Sequence, residues 1–121
     1  MLNALESLFK LARDRKNNPV DGSYTNKLLS DKSLSKEKVL EEINELIEAV
    51  EKNTNKIHEA ADVFYHLIMY LETNDIKIED VIEELNKRKK WVTKIIIYLL
   101  KFLEMKFLLI IQQFLYPMLL N

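Results

Sequence analysis

The chain lacks cysteine and has only one glycine and two prolines among its 121 residues. The absence of cysteine excludes disulfide bonds, thiolate nucleophiles and cysteine-ligated zinc sites. Turn-rich β folds need both glycine and proline, so their scarcity beside abundant leucine, isoleucine, glutamate and lysine predicts an all-α fold. The length is that of about one domain and allows a hydrophobic core to be buried.

An excess of charge of one sign is also missing, because 18 basic residues balance 19 acidic ones. No long basic run precedes Lys87, so the composition gives no reason to expect nucleic-acid binding. The first ten residues mix acidic and basic side chains without an unbroken apolar segment, and we therefore expect no signal peptide. These features, with the lack of cysteine, predict a cytoplasmic location.

The hydrophobic pattern predicts a bundle of four to five helices. The predicted helices cover residues 4–15, 23–29, 36–52, 56–72 and a segment that begins at Ile78. Ser23 or Thr25 is the expected N-cap of the second helix, and Ser33 or Ser35 that of the third. Because the link at 53–55 is short, the third and fourth helices should be antiparallel neighbours.

The predicted helix over 36–52 is amphipathic. Its expected core stripe, with members three or four residues apart, is Val39, Ile43, Leu46 and Val50. Glu42 and Glu45 lie to one side of this stripe, one helical turn apart. On this helix alone they are also what an ordinary acidic surface would contain.

The predicted helix over 56–72 is apolar nearly all round, which is typical of a buried helix. Glu59, Asp62 and His66 nevertheless share one face of it. Buried carboxylates are costly unless they are paired or bind a metal, so a cation should meet this face. The four carboxylates of Glu42, Glu45, Glu59 and Asp62 together suit a hard cation, Mg²⁺ or Mn²⁺. Such a cation would in turn suit polyphosphate chemistry. Buried ion pairs with lysine or arginine are the structural alternative.

The composition changes after Trp91, where apolar blocks at 95–100 and 107–111 are separated by charged residues. The second block begins the longest uncharged run, which is shorter than the roughly 20 apolar residues of a membrane-spanning helix. Three interpretations stay open: an extra helix on the core or on a partner, membrane contact, which is not favoured, and a shifted reading frame. We therefore assign 1–90 to one helical domain and 91–121 to an extension of unknown role.

Four segments, in order, carry a resemblance to a known family. They are residues 22–29, 38–45, 59–67 and 78–88. The second and third contain Glu-x-x-Glu and Glu-x-x-Asp, which resemble the metal motif of the all-α NTP pyrophosphohydrolases, the MazG-like and dimeric dUTPase-like group. All four together, over about residues 5–90, are most similar to the phosphoribosyl-ATP pyrophosphohydrolases of histidine biosynthesis.

This resemblance implies Mg²⁺-dependent hydrolysis of the α–β phosphoanhydride of phosphoribosyl-ATP, giving phosphoribosyl-AMP and pyrophosphate in the second step of histidine biosynthesis. The implied metal ligands are Glu42, Glu45, Glu59 and Asp62. The implied catalytic residues are Glu42, Glu41 as a candidate for either an outer-shell residue of the metal or a base, and Lys38 as a phosphate contact. The implied substrate-binding residues are Ser23, Tyr24, Thr25, Lys27 and Arg88. Members of the family are typically homodimers or higher oligomers.

One residue departs from the family pattern inside the matching segments. Leu40 stands where relatives usually have glycine, which places a bulky side chain beside the Glu42 motif. Two alternative functions are weighed against the leading one. The first is a MazG-like house-cleaning nucleoside triphosphate pyrophosphohydrolase with the same carboxylates. The second is a non-catalytic helical interaction protein whose apolar tail recruits a membrane or a partner.

Overall fold

The computed structural model describes residue 1 and residues 3–119, and this part of the chain forms five α-helices. They are α1 (Asn3–Asn17), α2 (Tyr24–Ser30), α3 (Lys32–Lys52), α4 (Lys56–Thr73) and α5 (Ile78–Leu119). The predicted all-α helical fold is confirmed. The chain divides into two compact units, Met1–Val81 and a second unit that begins at Ile82.

Helix α4 contacts α1, α2 and α3, and its contact with α3 is the most extensive between any two helices of the described part of the chain. The hydrophobic core joins α1, α2 and α4 through Ala12, Leu28, Ile68 and Met69. Thr73 is buried beside this core, where its hydroxyl donates to the carbonyl oxygen of Met69 at 2.6 Å. The polar group is therefore satisfied inside an apolar environment.

The N-caps of α2 and α3 agree only in part with the sequence prediction. Ser23 caps α2, and its Oγ accepts a hydrogen bond from the backbone N–H of Asn26 at 3.4 Å. The predicted cap of α3 by Ser33 or Ser35 is wrong. Asp31 occupies that position, and its Oδ1 accepts from the N–H of Leu34 at 3.0 Å. A carboxylate cap also interacts favourably with the positive end of the helix dipole.

The predicted core stripe of α3 is rotated relative to the observed one. Val39 is buried as predicted, but Ile43 and Val50 are 39% and 57% exposed, whereas Glu42 and Ala49 are buried. The physical reason is that α3 has apolar residues on two faces, of which only one meets the core. The second face consists of Leu40, Ile43, Ile47 and Val50, which are all exposed and lie three or four residues apart.

The expectation that α4 is buried all round is also wrong. Ile57, Phe64 and Leu67 are exposed, Ile57 and Phe64 by 89% and 52%. Their spacing of seven and three residues places them on one face of α4. We refer to the exposed apolar residues of α3 and α4 as the outer faces: Leu40, Ile43, Ile47 and Val50 on α3, and Ile57, Phe64 and Leu67 on α4.

The second unit consists of the part of α5 that begins at Ile82. The helix does not end at the basic segment 87–90 but continues to Leu119, with Pro117 inside its last turn. Its large apolar side chains are exposed, with Trp91 and Tyr98 at 68% and 79%. Among the residues whose structure is described, no helix is long and apolar enough to cross a membrane.

Candidate metal centre and active site

Acidic side chains of α3 and α4 meet where these two helices pack. One carboxylate oxygen from each of Glu42, Glu45 and Glu59 lies within 4.8 Å of the other two. Glu45 thus lies beside Glu59, at the start of α4, while Glu42 contacts His66, further along α4. This order is that of antiparallel helices, as the short link predicted. Three carboxylate oxygens this close form a donor set that suits a hard divalent cation.

The raised pKa of Glu42 indicates that its charged form is disfavoured here unless a positive charge lies nearby. Glu42 is only 9% exposed, and burial raises the pKa of its carboxyl group. The charges of Glu45, Asp62 and Glu41 raise that pKa further, while His66 opposes them. A divalent cation among these oxygens would reverse the repulsion, so the residues present fit a metal.

His66 connects the acidic cluster to α2. Its Nδ1 lies 3.0 Å from the carbonyl oxygen of Asp62 and 3.6 Å from Oε1 of Glu42, and its Nε2 lies 3.2 Å from the hydroxyl of Tyr24. Because a carbonyl oxygen can only accept, the contact at Nδ1 requires its hydrogen there, and in the neutral ring the Tyr24 hydroxyl then donates to Nε2. Both ring nitrogens of the buried imidazole therefore have protein partners, and neither is free to bind a metal.

Asp62 lies outside the group of three oxygens. Its Oδ2 is 3.2 Å from Nε2 of His58, one helical turn earlier on α4. Its charge still raises the pKa of Glu42, so the two carboxylates are close enough to interact. The structure therefore brings Glu42, Glu45 and Glu59 together and places Asp62 beside them with a histidine partner. The sequence reasoning missed His58, although its spacing of four residues from Asp62 is a recognisable signal.

Lys38 lies one helical turn before Glu42 and forms an ion pair with Glu41, which directly precedes Glu42. The Nζ of Lys38 donates to Oε2 of Glu41 at 2.6 Å, and this bond raises the pKa of the Lys38 ammonium. Burial raises the pKa of Tyr24, and the positive charge of Lys38 opposes that shift. Lys38 thus interacts with both Tyr24 and the acidic cluster. Leu40, the departure from the family pattern, is exposed and does not enter the core.

The segment around Ser23 lines a surface pocket of about 740 Å³. Ser23, Tyr24 and Lys27, predicted to bind substrate, are among its lining residues, together with Lys16. Thr25 is not among them, and its hydroxyl is hydrogen-bonded to the hydroxyl of Tyr65 at 2.7 Å. Since Tyr24 also reaches His66, this residue connects the pocket to the acidic cluster.

Asn26 fixes the loop that forms this pocket, and the sequence reasoning missed it. Its side chain accepts from the N–H of Val20 at 2.8 Å and donates to the carbonyl oxygen of Arg15 at 2.6 Å. Gly22, in the same loop, has a φ of 72°, a conformation that side chains disfavour. Arg88, the remaining predicted substrate contact, belongs to the second unit, where its Nε lies 3.1 Å from Oε1 of Glu84.

Comparison with known proteins gives consistent matches. The model of a family described as phosphoribosyl-ATP pyrophosphohydrolase matches residues 3–89. A phosphoribosyl-ATP pyrophosphatase of Clostridium novyi is 43% identical over 96 residues, which cover 75% of this chain and 86% of that protein. One from Methanococcoides burtonii is 42% identical over 93 residues, covering 73% and 94%. The histidine biosynthesis bifunctional protein HisIE of Pyrococcus furiosus is 39% identical over 92 residues, covering 74% and 43%. No solved structure matched the chain.

Proposed function

The chain belongs to the phosphoribosyl-ATP pyrophosphohydrolase family, and we propose that the acidic cluster of α3 and α4 carries out the family's reaction with Mg²⁺. The enzyme hydrolyses phosphoribosyl-ATP to phosphoribosyl-AMP and pyrophosphate in histidine biosynthesis. The observation that carries the proposal is the meeting of oxygens from Glu42, Glu45 and Glu59 within 4.8 Å.

In this proposal, Glu42, Glu45 and Glu59 hold Mg²⁺, with Mn²⁺ as a substitute, and Asp62 completes the set after release from His58. The chemistry that such a cation supplies when bound is neutralisation of charge on the polyphosphate and easier ionisation of the attacking water. His66 keeps the carboxylate of Glu42 oriented, through the hydrogen bonds to Asp62 and Tyr24.

The remaining site residues bind the anionic substrate and move a proton. Hydrolysis breaks the bond from the α-phosphorus to the bridging oxygen, forms a bond from water oxygen to that phosphorus and releases pyrophosphate. Glu41 accepts the proton of the water, and its partner Lys38 turns to the phosphate oxygens. Lys27, in the pocket beside Tyr24, supplies further positive charge. Arg88 remains a proposed phosphate contact.

We further propose that two copies of the chain pair through the outer faces of α3 and α4. These faces expose apolar side chains of the two helices that also carry the acidic cluster. Burying these side chains against a second copy would remove them from water. The family resemblance, which implies homodimers or higher oligomers, supports the same arrangement. A cytoplasmic location fits a biosynthetic enzyme of this family and is part of the proposal.

Pyrophosphate release from phosphoribosyl-ATP is the direct test. The full chain with Mg²⁺ should release pyrophosphate, and chelation of the metal should abolish the release. Deoxycytidine and deoxyuridine triphosphates, the substrates of a house-cleaning enzyme, serve as the comparison and should be hydrolysed far more slowly. Turnover of phosphoribosyl-ATP that survives chelation would contradict the metal assignment, and a preference for the deoxynucleotides would contradict the substrate assignment.

A further inference from the structure

Four of the seven basic residues of α5 form a stripe along one side of the helix. Lys87, Lys90, Lys94 and Lys101 are separated by three, four and seven residues, a spacing that places them on one helical face. We refer to these four residues as the lysine stripe. Residues 87–119 contain seven basic residues and one acidic residue, Glu104, which gives a formal net charge of +6.

Apolar side chains cover most of the remaining circumference. The side opposite the lysine stripe carries residues spaced three, four or seven apart: Val92, Ile96, Leu99, Leu103, Ile110 and Phe114. Trp91 and Tyr98 follow Lys87 and Lys94 by four residues each and so border the stripe. Aromatic rings of this kind are typical of the boundary between headgroups and acyl chains.

From this arrangement we propose that residues 87–119 bind the surface of an anionic lipid bilayer, with the helix axis in the plane of the interface. The lysine stripe faces the negatively charged headgroups, and the opposite face enters the acyl region. A position across the bilayer does not fit, since none of the described helices is long and apolar enough to span it.

A second copy of the same helix is a poorer occupant. A coiled-coil seam needs about two apolar positions in seven and leaves the other positions polar. Here apolar residues occupy most positions outside the lysine stripe, so pairing would leave many of them in water. Pairing would also bring together two segments that each carry a net charge of +6, and their repulsion opposes association. A negatively charged bilayer satisfies both the charge and the wide apolar face.

Three basic residues lie outside the lysine stripe, on the apolar side of the helix: Arg88, Lys89 and Lys106. The Nζ of Lys106 is 5.1 Å from the centre of the Phe102 ring. The long aliphatic part of a lysine can run along an apolar surface while the ammonium group reaches the polar layer. Long basic side chains of this kind are compatible with a helix that lies in the interface.

The experiment uses the full chain, in which Trp91 is the sole tryptophan and reports directly on this segment. Vesicles of equimolar phosphatidylglycerol and phosphatidylcholine should sediment with the protein and shift the Trp91 emission to shorter wavelength. Vesicles of phosphatidylcholine alone should bind much less, and raising the salt from about 0.1 M to about 1 M should release the protein from the anionic vesicles.

Two sets of substitutions separate charge from packing. Lys90→Gln, Lys94→Gln and Lys101→Gln combined should lower partition into anionic vesicles by roughly 10²-fold, and the matched arginine triple should change it by less than about twofold. Leu99→Asn with Leu103→Asn should lower partition at unchanged charge. Pyrophosphate release from phosphoribosyl-ATP by each variant checks that the first unit is folded.

Three results would overturn the proposal. The first is binding that is equal on neutral and anionic vesicles, and the second is absence of binding to both by the unsubstituted chain. The third is self-association through this helix in lipid-free buffer, with assemblies that exclude vesicles, which would make a second copy the occupant. Loss of binding in the glutamine triple but not in the arginine triple would support a headgroup contact by charge.

Discussion

The first 86 residues and the rest of the chain differ in the sign of their charge and in the use of their apolar residues. The first region has 18 acidic and 11 basic residues, a net charge of −7, while residues 87–121 have a net charge of +6. In the first region, apolar residues form a core of three helices, and the buried polar residues Glu42 and His66 contact each other. In the second, the described apolar side chains of α5 are exposed, except Ile111, which is partly buried.

This difference shows that a chain of near-zero net charge can contain one region that favours a bound cation and another that favours an anionic partner. The first region concentrates carboxylates until Glu42 has a raised pKa, a state that a bound cation relieves. The second concentrates lysines beside exposed apolar residues, a state that an anionic surface relieves. Total charge and mean composition, which average the two, indicate neither.

The largest expected effect comes from removing charge in the acidic cluster. Glu42→Gln or Glu59→Gln should lower kcat for phosphoribosyl-ATP by at least roughly 10²-fold, because metal-borne charge stabilisation supplies several kcal/mol. Glu48→Gln is the matched control, since Glu48 lies on the same helix as Glu42 but pairs with Lys52. Steady-state pyrophosphate release measures all three. Near-normal turnover in both cluster variants would contradict the proposal that the acidic cluster of the first region carries out the hydrolysis.

The next effect concerns the outer faces of α3 and α4. Ile47→Glu should weaken self-association at least roughly tenfold, because a charge would be buried at the proposed contact between copies. Ile96→Glu, in the second region, is the control for adding a charge to an exposed isoleucine. Sedimentation velocity over a concentration series distinguishes them. The same association constant in Ile47→Glu and the unsubstituted chain would contradict pairing through these faces.

A smaller effect is expected at His66. His66→Asn retains a donor near the carbonyl oxygen of Asp62 but loses the contact with Tyr24, so Glu42 should be held less well. We expect roughly a tenfold loss in kcat and a higher Mg²⁺ requirement, the range reported for residues that orient metal ligands. His58→Asn, at the exposed histidine, should have less effect. An unchanged Mg²⁺ requirement in His66→Asn would leave that residue with a purely structural role.

The smallest effect is expected from removing residues 91–121, which are most of the second region. A chain that ends at Lys90 should keep kcat within about twofold of the full chain, because it retains every proposed ligand on α3 and α4. It should also lose binding to anionic vesicles. Circular dichroism checks that the shortened chain is helical. If it is folded but inactive, the two regions do not divide the functions as proposed.

The sequence predicted most helix bounds but not the rotation of α3. Helix starts at Tyr24, Lys56 and Ile78 follow turn-forming residues, whose conformational preferences are local. Periodicity could not decide which of the two apolar faces of α3 meets the core, because both have helical spacing. Ile43 was therefore assigned to the core, while the buried position belongs to Glu42.

The acidic cluster was predictable because its spacing is local and its two helices are joined by a short link. The partners of its members were less so, since Tyr24 contacts His66 across 42 residues, a distance in sequence that no helical pattern encodes. The continuity of α5 was also missed. The change of composition at Trp91 suggested a boundary, but a change of composition does not interrupt backbone hydrogen bonds, and no glycine or proline precedes Pro117 in this helix.

The most direct test of the central claim is the Mg²⁺ dependence of phosphoribosyl-ATP hydrolysis in Glu45→Gln and Glu48→Gln. Both substitutions remove one charge from exposed positions on α3, but only Glu45 belongs to the group of three oxygens. We predict that Glu45→Gln raises the Mg²⁺ concentration for half-maximal activity by roughly tenfold or more, and that Glu48→Gln leaves it unchanged. Superimposable Mg²⁺ curves for the two variants would contradict a metal site at this cluster.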